Sequence, residues 1–291
     1  SMNDRYGVDP SAATSIAELA SLLRQFGPEH GRFIVDFPIN WYDQVRLHFG
    51  EVGDFKRVQL AELWLRTAKR SLLPTKARYF SDRPWAQNAA YLINEVRNLI
   101  GPAGSTPPCR SLEDVLVDPD ALPDCRGGHI PRTPGAYASV ARPLMQISNK
   151  VVLVDPYFCL RYLPVGLKKT RPSRRHIQSL RALIQVAHAE RKVEVFKLMV
   201  SPKKAMINDV DGAQFEEDLS GILNDVGATG IAIEYDLLDD RHSLERHPRY
   251  LLGNECGLRF DWGLDTADDN STNHVEWIGR ASLKPLLDRF M

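Results

Sequence analysis

An aspartate and a tyrosine stand where an apolar run ends, and a dense basic segment follows them. Residues 151–154 are all apolar, and Asp155 and Tyr157 come directly after them. The carboxyl end of a strand is the usual place for a ligand in an open α/β sheet. The basic residues of the segment 168–175 are Lys168, Lys169, Arg171, Arg174 and Arg175. We therefore expect a phosphate-collecting rim at this edge, suited to a nucleic-acid backbone or a lipid headgroup.

The charge pattern has a second interpretation, which the sequence leaves open. Residues 161–204 contain twelve basic and two acidic residues, whereas residues 209–246 contain eleven acidic and two basic ones. Neighbouring elements of opposite charge can neutralise each other, or each can be a solvated face. Over the whole chain, Lys plus Arg and Asp plus Glu number 37 each. Any surface for nucleic acid or membrane must therefore be local.

Three blocks resemble motifs of the phospholipase D superfamily, whose catalytic signature is His-x-Lys followed after four residues by Asp. The blocks are Asp155-Pro156-Tyr157, His247-Pro248-Arg249 and Gly263-Leu264-Asp265. They are most similar to the phospholipase-D-like carboxy-terminal domain of microtubule-interacting-and-trafficking proteins and its bacterial relatives. The resemblance covers residues 151–265 and implies a single α/β domain of that type from about residue 144 to the end.

This chain departs from the signature at residues that the superfamily uses in catalysis. Arg249 stands where the signature has Lys, although a guanidinium can still grip two phosphate oxygens. Asn254 stands where the signature has the Asp that would orient the imidazole. Asp265 or Glu276 is then expected to replace that carboxylate. The chain has one such block, whereas the superfamily pairs a nucleophilic histidine with a second histidine that protonates the leaving oxygen.

Two functions follow from the resemblance. The first is a catalytically degenerate adaptor that binds a phosphate-bearing ligand or a partner protein, and the bacterial relatives suggest a role in a conflict or antiphage system. The second is a metal-independent phosphodiesterase or nuclease, a homodimer in which His247 of each chain completes one site, with Arg249 and Asn254 stabilising the transition state. Neither function implies a cofactor or a metal ion.

The periodicity of the sequence predicts the elements that must position these residues. Strands are expected at 151–154, 192–200 and 231–237, with helices between them, which indicates a mostly parallel sheet in the domain 144–291. The helix after Arg175 carries His176 and His188, which we expect on the surface. Ser15 and Glu18 form a capping box for an early helix, and helical spacing recurs at 54–73 and 84–100. We therefore predict a mainly helical domain at 1–100 and a linker or ordered loop rich in proline and glycine at 101–143.

The cysteine content and the lengths of the apolar runs restrict the class of protein. The four cysteines show no spacing that would form a zinc site, and they are too few to crosslink a chain of 291 residues. No apolar run approaches the roughly 18–20 residues of a membrane span, and the amino terminus lacks a secretory pattern. We therefore expect a cytoplasmic protein with reduced thiols and no transmembrane segment.

Overall fold

The computed structural model describes residues 2–50, 55–105, 108–118, 120–162, 171–202, 212–238, 249–267 and 269–291. Three of the predicted site residues, His247, Lys168 and Lys169, lie outside these ranges. The chain divides into an amino-terminal unit, Ser1–Arg126, and a carboxy-terminal unit, Gly127–Met291. In the described residues, no helix has both the length and the apolar character needed to cross a membrane.

Five parallel strands form the centre of the amino-terminal unit, in the order β3-β2-β1-β4-β5. They are β1 (Asp4–Val8), β2 (Arg32–Val35), β3 (Leu72–Leu73), β4 (Asn98–Gly101) and β5 (Cys109–Ser111). The helices are α1 (Ile16–Leu23), α2 (Trp41–Gly50), α3 (Phe55–Ala68), α4 (Trp85–Ala89) and α5 (Leu112–Val117), with short 3-10 turns at Pro28–His30, Lys69–Ser71 and Ala90–Leu92. Tyr6, Ile34 and Ile100 are fully buried in this sheet.

The prediction of a mainly helical amino-terminal domain was therefore wrong. The helix after Ser15 is confirmed, with the Ser15 side chain accepting a hydrogen bond from the Glu18 N–H. Of the segment 84–100, only α4 is α-helical, and its end forms β4 instead. The predicted helical segments 54–73 and 84–100 extend into β3 and β4, because such short and largely buried strands show no alternation of polar and apolar residues.

The carboxy-terminal unit contains a seven-stranded sheet in the order β11-β10-β7-β12-β13-β14-β6. Its strands are β6 (Gly127–Pro131), β7 (Lys150–Val154), β10 (Val195–Val200), β11 (Ala232–Leu237), β12 (Arg249–Gly253), β13 (Gly257–Phe260) and β14 (Thr272–Ile278). A separate two-stranded sheet consists of β8 (Arg161–Tyr162) and β9 (Arg171–Pro172). The helices are α6 (Pro134–Ile147), α7 (Arg174–Glu190), α8 (Gly212–Val226) and α9 (Arg280–Phe290).

This α/β unit differs from the prediction in two ways. Only β7, β10 and β11 are parallel neighbours, and the sheet continues beyond β7 through antiparallel pairings. It is thus a mixed sheet rather than a mostly parallel one. The region predicted as a linker, 101–143, contains β5, α5, β6 and most of α6, and the two units divide after Arg126.

The two faces of β7 point to different helices. Val152 and Val154 pack with Leu283 and Phe290 of α9 in one buried cluster. Because side chains alternate along a strand, Val151, Leu153 and Asp155 point to the opposite face. On that face Leu144 of α6 lies within contact distance of the sheet. The fold therefore delivers Asp155 to the carboxyl end of β7, on the side of α6 and away from α9.

Candidate functional site

Asp155 is a fully buried carboxylate at the end of β7. Its Oδ1 accepts a hydrogen bond of 2.9 Å from the Tyr157 N–H, and its Oδ2 accepts one of 3.4 Å from the Leu264 N–H. Burial raises the pKa of Asp155, whereas the backbone hydrogen bond from Tyr157 and the charges of His176 and Arg249 oppose the rise. A carboxylate kept out of water in this way needs positive groups close to it.

Arg249 supplies one of these positive groups. It begins β12, which pairs antiparallel with β7, so the two sequence blocks meet at one end of the sheet. Arg249 Nε lies 3.8 Å from Asp155 Oδ1, and the guanidinium carbon lies 4.7 Å from the centre of the Tyr157 ring. Its Nη1 donates a 2.7 Å hydrogen bond to the Asp261 carbonyl. The structure thus brings together three of the predicted residues, Asp155, Tyr157 and Arg249.

The loop between β13 and β14 closes over this pair and is held by a buried asparagine. Asn273 accepts a hydrogen bond from the Trp262 N–H at 3.0 Å and donates to the Trp262 and Gly263 carbonyls at 2.8 and 3.1 Å. A Cβ added to Gly263 would lie 2.9 Å from Asp155 Oδ2. Glycine is therefore required there by the close approach of the loop to the buried carboxylate. Asn273 was missed because an asparagine within an alternating strand gives no sequence signal for such a role.

His176, expected on the surface, instead lies half-buried in the first turn of α7. Its Nδ1 is 3.1 Å from the Ser173 hydroxyl and 3.5 Å from the Cys159 thiol, and its ring centre lies 5.1 Å from that of Phe158. Burial lowers the pKa of His176, whereas the negative charges of Asp155 and Asp265 oppose this change. The spacing of Ser173 and His176, cap and third helical residue, is the sequence signal that could have identified this contact.

A cavity of about 770 Å³ opens beside the start of α7. The described residues that line it are Tyr162, Arg171, Pro172, Ser173, Arg174, Arg175, Gln178 and Thr266. Three of these residues, Arg171, Arg174 and Arg175, are predicted ligand-binding residues, and none of the described lining residues is acidic. Arg171 and Arg174 are exposed and form no ion pair with another described residue. The cavity therefore presents concentrated positive charge to solvent.

The structure places Asn254 away from this site. Asn254 Oδ1 accepts hydrogen bonds of 3.1 Å from the N–H groups of Asn149 and Lys150, where β7 begins. Asp155 stands at the other end of β7, so the two residues are separated by roughly five residues of strand, or about 17 Å. The expectation that Asn254 acts beside Arg249 therefore fails on geometry, because β12 carries it to the opposite edge of the sheet.

The two carboxylates expected to replace the missing Asp also differ in position. Glu276 lies on β14, 3.4 Å from Arg259 of the neighbouring strand. Glu276 and Ile278 are two residues apart on β14, so their side chains share one face of the sheet. Because Ile278 packs against α9, Glu276 lies on the face opposite Asp155. Asp265 is closer, in the loop that covers the site, but its carboxylate pairs with Arg132. Of the two residues, Asp265 is the one whose charge is found to act on His176.

Comparison with known proteins adds little to this picture. No family model matches the chain, and no curated protein matches it. Among solved structures, it is similar to an archaeal chromatin protein, TrmBL2, whose structure is described as showing a novel mode of DNA binding. The identity is 12%, the match covers 62% of this chain and 55% of that chain, and the TM-score is 0.29. A likeness of that size carries no argument about fold or function.

Proposed function

We propose that the carboxy-terminal unit binds a phosphate-bearing ligand in the cavity beside α7. The observation that carries the proposal is the lining of the cavity, with Arg171, Arg174 and Arg175 and no acidic residue among its described walls. Guanidinium groups match the geometry of phosphate oxygens and stay charged at every physiological pH. The positive charge of such a cavity attracts anions in general, and the other lining residues determine which anion binds.

The local electrostatics of α7 support the same proposal. The amino end of a helix carries a partial positive charge, and cations there are unfavourable by about 0.3–1 kcal/mol each. The first turn of α7 holds Arg174 and Arg175 and no acid. By contrast, the first turns of α1 and α5 hold Glu18 and Asp114. A bound oxyanion would offset the repulsion at α7, as carboxylates do at the other two helices.

The ligand class can be narrowed by the aromatic residue in the wall. A nucleic-acid backbone and a lipid headgroup both present suitable phosphate groups. Tyr162 is 44% exposed and lines the cavity with the arginines. Exposed aromatic rings beside cations stack bases at about 1–3 kcal/mol per base. We therefore favour a single-stranded nucleic acid, with a phosphate at the arginines and a base against Tyr162.

A matched pair of charge reversals tests this function. Arg174 and Arg280 are both exposed and both begin a helix of this unit, but only Arg174 lines the cavity. R174E is expected to weaken binding of a labelled single-stranded oligonucleotide at least about tenfold and to lower the salt dependence by about one phosphate contact. R280E is expected to bind as the wild type does. Anisotropy titrations at several salt concentrations measure both quantities.

The same variants separate the two sources of phosphate. Sedimentation with vesicles that contain anionic lipid measures headgroup binding directly. Loss of vesicle binding in R174E, with unchanged oligonucleotide binding, would replace the nucleic acid by a lipid. Equal binding of both probes by wild type, R174E and R280E would refute the cavity as the ligand site.

We also propose that this unit is related to the phospholipase-D-like domains and acts as an adaptor. The proximity of Asp155 and Arg249, which come from separate motif blocks, supports that relationship. The dimeric phosphodiesterase is a second proposal, favoured by the contact of Arg249 with the β13–β14 loop, which also contributes Thr266 to the cavity lining. It predicts that a wild-type dimer cleaves DNA or RNA in the presence of EDTA and that H247A does not. Inactivity of both proteins, with a monomeric mass by light scattering, would exclude it.

A further inference from the structure

One contact leads from the cavity into the interior of the carboxy-terminal unit. Ser173 lines the cavity, yet it is only 7% exposed. Its hydroxyl lies 3.1 Å from His176 Nδ1, so a residue that lines the cavity also contacts the imidazole. A serine hydroxyl can donate one hydrogen bond and accept two. A ligand that accepts the hydrogen bond of the Ser173 hydroxyl therefore leaves the Ser173 oxygen only as an acceptor toward His176.

The imidazole stands among groups with opposing effects on its charge. Asp155 faces it from the end of β7, and Asp265 faces it from the loop after β13; both favour the cation. Arg175 of the same helix and the loss of water disfavour the cation, while a hydrogen bond to the backbone of Cys159 favours it. Arg249 lies next, 3.8 Å from Asp155, and balances part of that negative charge. An anion in the cavity would add a further negative charge near the imidazole and favour its protonated form.

We propose that Ser173 forms the floor of the anion site, with His176 directly behind it, and that His176 takes up one proton when an oxyanion binds. In the empty cavity the Ser173 hydroxyl donates to Nδ1 of neutral His176. When an oxyanion occupies the cavity, the hydroxyl turns and donates to it. Nδ1, which still lies 3.5 Å from the Cys159 thiol, then binds a proton from solvent and donates to the Ser173 oxygen. No covalent bond changes, and the proton taken from solvent remains on the imidazole until the anion leaves.

This inference rests on the proposed function, because it requires an anion in the cavity. It adds two recognition residues and a dependence on pH that arginines alone cannot give. Arginine does not titrate below about pH 12. By linkage, a group whose pKa is higher in the complex strengthens binding as the pH falls. Anion affinity should therefore rise as the pH falls through the pKa of His176 in the complex, and level off below the pKa of the free protein.

Sulfate is the probe for the full chain, since it keeps its two negative charges across the range that histidine titrates. Calorimetric titration from about pH 8 to about pH 5.5 should show affinity rising by up to about tenfold per pH unit. Titrations in two buffers of different ionisation enthalpy count the protons taken up, which we expect to approach one per sulfate near the steepest point. Sulfate binding without proton uptake would overturn this inference and leave the proposed function intact. Undetectable sulfate binding at every pH would overturn both.

Two histidines of α7 provide the matched variants. His176→Asn keeps a polar atom near the position of Nδ1 but cannot bind a proton, so the pH dependence and the proton uptake should disappear. His188→Asn, at the other end of the same helix, should retain both. Retained proton uptake in H176N would assign the titration to another group and refute the mechanism. If H176N does not fold by circular dichroism, the ring resonances of His176 in the wild type are followed by NMR with and without sulfate, and an unchanged titration of His176 would refute the mechanism.

Discussion

Replacing Gly263 by alanine tests the close approach between the β13–β14 loop and the buried carboxylate. The added Cβ would lie 2.9 Å from Asp155 Oδ2 and 3.8 Å from Arg249 Nε. A methyl group forced into a packed interior costs about 1–3 kcal/mol. For a unit of this size each kcal/mol corresponds to roughly 2–4 °C. We therefore expect the melting temperature of this unit to fall by about 2–12 °C.

Gly135→Ala is the control for this substitution. Gly135 lies in the first turn of α6, and a Cβ there would meet no atom within 4 Å. Alanine is favoured over glycine in an accessible helix, so G135A should be neutral or more stable by up to about 1 kcal/mol. The two substitutions add the same atoms and are expected to have opposite signs.

A double-mutant cycle identifies the atom responsible. D155A removes the carboxylate that the new methyl group would strike, so G263A should cost much less in the D155A background than in the wild type. Thermal and urea unfolding, followed by circular dichroism, give the four free energies of unfolding. An equal cost of G263A in both backgrounds would refute the reasoning, because the two sites would then be energetically independent.

Two further substitutions separate residues that hold the fold from residues that bind the ligand. N254A removes the acceptor for two backbone N–H groups at the start of β7; it should lower the free energy of unfolding by about 1 kcal/mol and leave oligonucleotide and sulfate affinity unchanged. A tenfold loss of affinity in N254A would return that residue to the site. N273A removes the partner of the Trp262 N–H and of the Trp262 and Gly263 carbonyls, of which the Gly263 carbonyl is buried. We expect a loss of about 2–4 kcal/mol in urea unfolding; a loss below about 0.5 kcal/mol would show that other contacts hold the loop.

Local chemistry in the sequence was enough to find several pieces of the site. The apolar run before Asp155 predicted a strand, and Lys150–Val154 is one. The capping serine and the helical period predicted α1, and the arginines of residues 171–175 line the cavity. These features depend on side chains that are neighbours along the chain. Alternation, capping and clustered charge are visible without any knowledge of the fold.

The tertiary structure decided which residues lie close together in space. Arg249 reaches Asp155 because β12 runs antiparallel beside β7, and the same direction carries Asn254 to the far edge. Neither placement can be predicted from the spacing in the sequence. Successive residues advance by about 3.3 Å along a strand, but the direction in which a strand runs depends on the strand it pairs with. The amino-terminal sheet as a whole was not predicted, because its strands of two to five residues are largely buried on both faces and show no alternation of polar and apolar residues. His176 comes under the influence of Asp155 only because α7 packs at the end of β7, whereas its contact with Ser173 is local to the first turn of α7. The sequence by itself determined where the basic and polar side chains cluster along the chain, and the packing of distant elements determined which of them lie together in the candidate site.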